Sequence, residues 1–470
     1  MTERSPDQDP PRTPSADAPT VAHSQFRLLC RRRFLPFFCT QLLGAFNDNV
    51  FKQALILAIL FKLGTSADTS LLINLCALLF ILPFFLFSAL GGQLGERFEK
   101  AWLIRRIKFA EILIMLAGAV GMLLGNLPLL LLVLFCMGTQ SALFGPVKYS
   151  ILPQQLAKDE LVGGNALVEM GTFLAILGGT IGAGVLMASE SYPGLVAVSV
   201  VMIAVFGYLA SLGIPGGEAA LPTLHMDWRV LRQSWRTLRL GFGQQRAVSR
   251  AMLGNSWFWF LGATYLTQIP AFAKLFLGGD ESVVTLILTL FSVGIALGSL
   301  LCERLSRHHL EIGLVPFGAI GLSVCGVLLW WHAGGLAVPA GTVTWLALLG
   351  EPSTWWVLAD ILGLGIFGGL YIVPLYALIQ SRSVVHERSR VVAANNILNA
   401  LFMVASAVIA IVLLVLLKLS IPQLFLVVSL LSVLVCGALF LDAPEFIERF
   451  LIWLLGERLG GALLAQLRLR

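Results

Sequence analysis

Twelve long apolar runs separated by short polar connectors recur along the chain, at roughly 34–62, 71–95, 101–125, 128–150, 161–188, 194–214, 251–277, 282–302, 312–332, 356–381, 391–418 and 420–441. At 1.5 Å per residue each is long enough to cross a hydrocarbon core of about 30 Å, so the pattern predicts twelve transmembrane helices in an all-α integral membrane protein. The first run is broken midway by a polar knot, Asn47-Asp48-Asn49, with Lys52 just beyond it. Asp48 and Lys52 are four apart and share one helix face, acid first, which is the favourable order for an intrahelical pair. A charge at mid-bilayer costs about 2.5–3.5 kcal/mol on insertion scales, so this face is expected to meet a cavity or a partner rather than lipid.

The connectors organise the runs. Residues 1–26 are rich in Pro, Asp, Ser and Thr and read as a disordered tail. The longest connector, 215–250, separates six spans in 27–214 from six in 251–441. Within it Trp228, Leu231, Trp235 and Leu238 recur at helical spacing beside Arg229, Arg232, Arg236 and Arg239, predicting an amphipathic helix on the membrane surface. Residues 442–470 read as a second interfacial segment, and 333–355 is apolar but broken by Gly and Pro. Of the 32 Lys and Arg, Lys52 lies inside a span and Lys62, Lys274 and Lys418 lie at one end; the others gather at the end of both termini, which places those termini in the cytoplasm.

Composition agrees and narrows the chemistry. Hydrophobic residues make up 57% and charged residues 12%, far from the soluble range. The net charge of +6 sits in the short connectors, where it sets membrane orientation and implies no nucleic-acid partner. Seven cysteines, most of them inside spans and without a Cys-x-x-Cys spacing, indicate neither a disulfide framework nor a zinc site, and no metal or cofactor is expected.

The two halves echo one another. Gly92-Gln-Leu-Gly-Glu96-Arg97-Phe-Glu-Lys100 after the second span matches Ser299-Leu-Leu-Cys-Glu303-Arg304-Leu-Ser-Arg307 after the eighth. Leu161-Val-Gly-Gly-Asn165 with Glu169 matches Val391-Val-Ala-Ala-Asn395 with Asn399. Matches at corresponding places in two six-span halves indicate a duplicated transporter architecture. The first pattern resembles the signature of the major facilitator superfamily, although Glu99 stands where that signature usually has Gly. The resemblance implies a gating latch in which Glu96, and Glu303 in the second copy, faces the N-terminal end of a helix in the opposite half, with Gly92, Arg97, Lys100, Arg304 and Arg307 around them.

Three further stretches, Phe46-Asn47-Asp48-Asn49, Phe144-Gly145-Pro146-Val147-Lys148-Tyr149 and Asn165-Ala-Leu-Val-Glu169, resemble the lysophospholipid transporter branch of that superfamily, including the transporter portion of its acyltransferase fusions. The resemblance covers about 30–440. It implies movement of a lysophospholipid, chiefly the ethanolamine form, to the inner leaflet of a bacterial inner membrane for reacylation by an acyltransferase. The family's headgroup-binding carboxylate and lysine map onto Asp48 and Lys148. Lys52 is the alternative partner of Asp48, and Glu169 is a candidate ion pair for Lys148. Gly178 and Gly182 allow a close helix approach, while Asn395, Asn396 and Asn399 offer uncharged donors and acceptors from the second half. Trp257-Phe258-Trp259-Phe260 flanks an acyl chain or packs against lipid and core.

An enzyme is the first competing class. None of the six histidines is followed five residues later by Asp, as an acyltransferase His-x-x-x-x-Asp requires, and no P-loop for ATP is present. The other reading is a proton-coupled exporter of drugs or amphipathic molecules on the same fold, with Asp48 as proton carrier; composition does not separate it from lipid transport.

Overall fold

A computed structural model of the protein describes residues 25–60, 69–307, 309–336 and 341–468. The tail expected over 1–26 lies outside them except for Gln25 and Phe26, which belong to a 3-10 turn, Gln25–Cys30. The first half comprises α1 (Leu35–Ala58), α2 (Thr69–Arg97), α3 (Lys100–Leu124), α4 (Leu127–Gln155), α5 (Leu161–Met187) and α6 (Tyr192–Leu212). A linker helix α7 (Val230–Phe242) follows. The second half comprises α8 (Arg246–Phe276), α9 (Glu281–Leu305), α10 (Leu314–Gly334), a short α11 (Trp345–Gly350), α12 (Trp355–Arg382), α13 (Arg388–Ile411) and α14 (Ile421–Asp442), and α15 (Glu445–Arg468) ends the chain.

Ten of the described helices, α2 to α6, α9, α10 and α12 to α14, are long and apolar enough to cross a membrane. The sequence pattern predicts twelve. The difference falls on α1 and α8, which match the others in length but not in composition. α1 carries Gln41, Asn47, Asp48, Asn49 and Lys52, and α8 carries Arg250, Asn255, Ser256, Thr264 and Gln268. These are the two helices that begin each half.

Short loops keep sequential helices antiparallel, and their ends carry local caps. Glu99, the departure from the superfamily signature, caps α3 by accepting from the backbone N–H of Ala101 (2.8 Å) and Trp102 (2.6 Å), satisfying donors that a helix start otherwise leaves free. Asn126 caps α4 in the same way from Leu129 N–H at 3.0 Å.

The linker helix α7 has a small polar face and an apolar stripe. It buries its small polar face, Ser234, Thr237 and Gly241, against α2, α8 and α13, and leaves Trp228, Leu231 and Trp235 exposed. Ser234 Oγ donates to the Phe85 carbonyl at 3.1 Å. The apolar face is therefore turned away from the protein, as a surface bordering lipid requires. α15 kinks at Gly456, whose φ is 78°, a conformation open to glycine without a side-chain penalty. Its first part is fastened to the body by Arg449 Nη2 on Glu311 (2.6 Å) and Trp453 Nε1 on the Leu305 carbonyl (3.1 Å).

Candidate functional site

The connectors that join α2 to α3, α4 to α5 and α12 to α13 lie at one end of the bundle, the basic end, and there the two halves meet. Glu96, fully buried at the end of α2, accepts from the Ser389 backbone N–H at 2.6 Å, in the first turn of α13. A carboxylate at a helix N-terminus meets free N–H groups and the positive end of the helix dipole. A Cβ on Gly92 would lie 2.8 Å from Ala393 Cβ and 3.0 Å from Arg390 Cα, so the glycine is what lets α2 and α13 come this close. The second copy mirrors the first: Glu303 of α9 is buried against the start of α5, with its Oε1 2.8 Å from where a Cβ on Gly163 would sit. Lys100 is buried beside this seam, whereas Arg97 lies over the Phe98 ring at 5.6 Å. No ion pair joins Arg97, Arg304 or Arg307 to a carboxylate among the described residues, and Arg307 takes a left-handed φ of 53° just beyond α9.

More bonds close the seam further in. Asn165 and Gln380 exchange two amide hydrogen bonds of 2.8 Å between α5 and α12. Ser389 Oγ donates to Ser150 Oγ at 2.9 Å, and Tyr149 stacks on Tyr376 with centroids 4.1 Å apart and planes 6° from parallel. Phe173 of α5 packs against Phe258 and Trp259 of α8. All these contacts lie in the half of the bundle nearest the basic end, where they form a floor.

The polar knot sits beyond that floor and divides by direction. Asn47 and Asn49 are buried in the first half; Asn49 Nδ2 donates to its own helix at the Ala45 carbonyl (2.7 Å). Asp48 and Lys52 stay partly accessible. Ser141 Oγ of α4 donates to Asp48 Oδ2 at 2.6 Å, and Lys52 Nζ rests 5.2 Å from the Phe80 centroid. No ion pair joins Asp48 and Lys52 among the described residues, so the pairing open to them by spacing is not formed.

Lys148 lies nearer the floor. Its Nζ donates to Thr172 Oγ1 at 3.0 Å and faces the Tyr149 ring at 5.0 Å; Thr172 in turn donates to Gln41 Oε1 at 3.1 Å. Glu169 does not pair with Lys148 as the sequence reading allowed. Tyr149 OH donates to its Oε1 at 2.6 Å, and its buried Oε2 has no hydrogen-bond partner among the described residues. Two helices measure the depth independently. Asp48 is seven residues beyond Gln41 on α1, and Ser141 is seven residues from Lys148 on α4; both place Asp48 about 10 Å from Lys148 along the bundle. Lys148, Asp48 and Lys52 thus form a file of alternating charge leading away from the basic end.

Behind Asn47 stands a second set of charges. Lys108 Nζ donates to Glu111 Oε2 at 2.6 Å, both fully buried, while Asn47 Nδ2 (3.2 Å) and Gln140 Nε2 (3.0 Å) donate to the same carboxylate. A Cβ on Gly44 would stand 2.3 Å from Lys108 Nζ, so Gly44 leaves the room this ammonium occupies. Lys108 and Lys148 are therefore interior residues, not connector charges as the sequence count had them. The spacing Lys108-x-x-Glu111 inside an apolar run was the available signal for this network.

The facing wall of the second half presents amides. Asn399, with its carboxamide nitrogen toward Ser256 Oγ (2.9 Å) and the Asn395 carbonyl (3.0 Å), accepts from Asn395 Nδ2 and Trp259 Nε1, each at 3.3 Å. Asn396 sits against Gly145 of α4. Trp257 and Phe260 are buried and stacked on each other, so part of this aromatic cluster is core. In the first half the closest approach beside Gly178 and Gly182 is made by Gly179, whose Cβ would meet the Phe46 carbonyl at 2.6 Å.

A family model described as Major Facilitator Superfamily matches residues 37–401, most of the chain. The chain belongs to the Major Facilitator Superfamily. It is a transporter and not an enzyme. Among its curated relatives, the lysophospholipid transporter LplT of Serratia proteamaculans (strain 568) is 26% identical over 75% of this chain and 81% of its own length. The protein of the same name from Salmonella heidelberg (strain SL476) is 28% identical over 74% and 79%. The crystal structure of the human organic anion transporter MFSD10 (TETRAN) superposes with a TM-score of 0.70 at 13% identity, covering 87% of this chain and 99% of that one, which shows the shared fold. In this superfamily member, Glu96 and Glu303 are buried at helix starts where the two halves meet, and Asp48 and Lys52 remain partly accessible.

Proposed function

We propose that this transporter moves a lysophospholipid, with lysophosphatidylethanolamine as the preferred form, across the bacterial inner membrane toward the cytoplasmic leaflet, where an acyltransferase restores the missing chain. The relatives named lysophospholipid transporter support the substrate class. The proposed topology has twelve spans, with α1 and α8 as the two that tolerate polar faces because they line the path, and both termini in the cytoplasm by the clustering of basic residues. On this topology the basic end is cytoplasmic, and the closed floor corresponds to a state open toward the outer leaflet.

The observation that carries the reading is Asp48, a partly accessible carboxylate midway along a membrane helix, held by Ser141 and left unpaired by Lys52. A zwitterionic headgroup offers it an ammonium, and offers Lys148 and Lys52 a phosphate. Two carbons join the phosphate and amine of an ethanolamine headgroup, and with a hydrogen bond at each end it spans about 10 Å, enough to engage Lys148 and Asp48 together. The headgroup is held between them by charge-assisted contacts, phosphate on Lys148 and ammonium on Asp48, with Lys52 next along the file. Asn165 and Glu169 belong to the floor that must part, and Asn395 and Asn399 to the wall the substrate slides along.

A flip assay in proteoliposomes with labelled lysophosphatidylethanolamine tests this. Asp48→Asn and Lys148→Ala are each expected to abolish movement while the protein remains folded by thermal unfolding; unchanged rates in both overturn the headgroup file. A rate that follows an imposed pH gradient without regard to lysolipid supply would point to proton-coupled export instead.

A further inference from the structure

A second basic feature lies outside the path, on the lipid-facing surface between α3 and α6. Trp102, Arg105, Arg106, Phe109 and Tyr208 line a groove of about 260 Å³ near the basic end. Arg105 Nη2 donates to the Ile214 carbonyl at 2.8 Å, which fixes one guanidinium at the C-terminal end of α6. Arg106 lies over Trp102 at 5.2 Å, and Phe109 meets Tyr208 edge to face at 5.9 Å. No carboxylate lines the groove, and no ion pair reaches either arginine among the described residues. Two adjacent guanidiniums with no carboxylate partner among the described residues, beside an apolar surface, form a site suited to an anion.

We propose that this groove binds the phosphate of an anionic diacyl phospholipid of the surrounding bilayer, at a site separate from the transported lysolipid. Three observations select this occupant. The guanidinium fork matches phosphate oxygens two at a time. Trp102 and Tyr208 mark the level at which aromatic rings border headgroups. Leading away from the groove, Leu113 and Leu116 on α3 and Met202 and Phe206 on α6 are exposed large apolar side chains, a track for two acyl chains. The volume accommodates a phosphate with its glycerol ester but not the chains, which remain in the bilayer.

The experiment compares purified full-length protein reconstituted in nanodiscs of phosphatidylglycerol or phosphatidylethanolamine. Tightly retained lipid is counted by native mass spectrometry, and thermal unfolding is followed in parallel. Retention of phosphatidylglycerol is expected to exceed that of phosphatidylethanolamine, and Arg106→Gln, which removes an exposed side chain whose contact is the Trp102 ring, is expected to lower it roughly tenfold. Trp102→Leu gives a second, smaller loss with the charge intact. Four results overturn the proposal: equal retention of the two lipids; retention unaffected by Arg106→Gln; an equal loss on Arg232→Gln of α7, which would mean diffuse surface attraction; or displacement of the lipid by millimolar inorganic phosphate, which would mean a free-anion site.

Discussion

Corresponding places in the two halves carry opposite chemistry. In α4, Lys148 stands two residues after Pro146; in α12, Tyr376 stands two residues after Pro374, and Tyr376 stacks on the neighbour of that lysine. In α5, Glu169 occupies the place that Asn399 holds in α13. Asp48, thirteen residues into α1, is matched in depth by Trp259, thirteen residues into α8. The two halves share a helix framework and a buried acid at the end of their second spans, while at the depth of Asp48 and Lys148 one half carries charge and the other amides, hydroxyls and aromatic rings. On the proposed function, headgroup chemistry and the smooth face opposite it are divided between repeats, so that the boundary between halves carries charge on one side.

The largest expected effect tests whether the charges of the first half form one system or two. Lys108 and Glu111 are sealed between helices, whereas Asp48 and Lys52 are accessible. Removing one member of a sealed pair strands the other, at a cost of about 3–5 kcal/mol. Glu111→Leu is therefore expected to lower the unfolding temperature strongly in nanodiscs, and the double change Lys108→Met with Glu111→Leu to restore most of it. A Glu111→Leu protein of unchanged stability that fails only in transport would place this pair in the path and erase the distinction.

Next comes a direct conversion of one half into the other. Lys148→Tyr gives α4 the residue of α12 and removes a charge-assisted bond worth about 1.5–3 kcal/mol, so lysolipid flipping should fall roughly ten- to hundredfold without loss of fold. Equal transport by this variant would mean that the asymmetry at this depth serves packing.

How much of this was legible beforehand follows from range. The apolar runs and the echo of Glu96 in Glu303 depend on local composition and spacing; the all-helical superfamily fold can be read from them, and both acids are found buried at a helix start of the opposite half. The partners of the polar residues depend on which helices adjoin. Asp48 meets Ser141, 93 positions away, and not Lys52 four away, because the lysine side chain leans onto Phe80. Glu169 meets Tyr149 in place of Lys148 because the ammonium is drawn to Thr172, itself held by Gln41. Gly44 reads as a helix-weakening residue until Lys108 is seen above it. Spacing along one helix names the faces but leaves open which neighbour fills them.

A smaller effect is expected at the latch. Glu96→Ala removes a carboxylate from a helix N-terminus, an interaction of about 0.3–1 kcal/mol when exposed and up to ~2 kcal/mol when partly buried. With the native cysteines replaced and Ser150→Cys placed on the seam, labelling by an impermeant maleimide from the basic end should rise roughly fivefold. The matching change Glu303→Ala should act in the same direction if the two copies are equivalent gates. No change from either would leave the glycine-mediated helix contacts as what holds the floor shut.

The smallest effect concerns the single hydroxyl that distinguishes Asp48 from a free carboxylate. Ser141 Oγ donates to Asp48 at 2.6 Å and holds it on the α4 side of the cleft. Losing such a bond costs about 1.5–3 kcal/mol when the charged acceptor is sealed from water, and much less where water can replace the donor. Asp48 is accessible, so Ser141→Ala should slow lysolipid flipping only about threefold, chiefly by raising the substrate concentration needed for half-maximal rate. A loss as large as that of Asp48→Asn would show that the carboxylate works only when pinned. In that case the file of charges is a set of fixed stations, and the asymmetry between halves lies as much in rigidity as in charge.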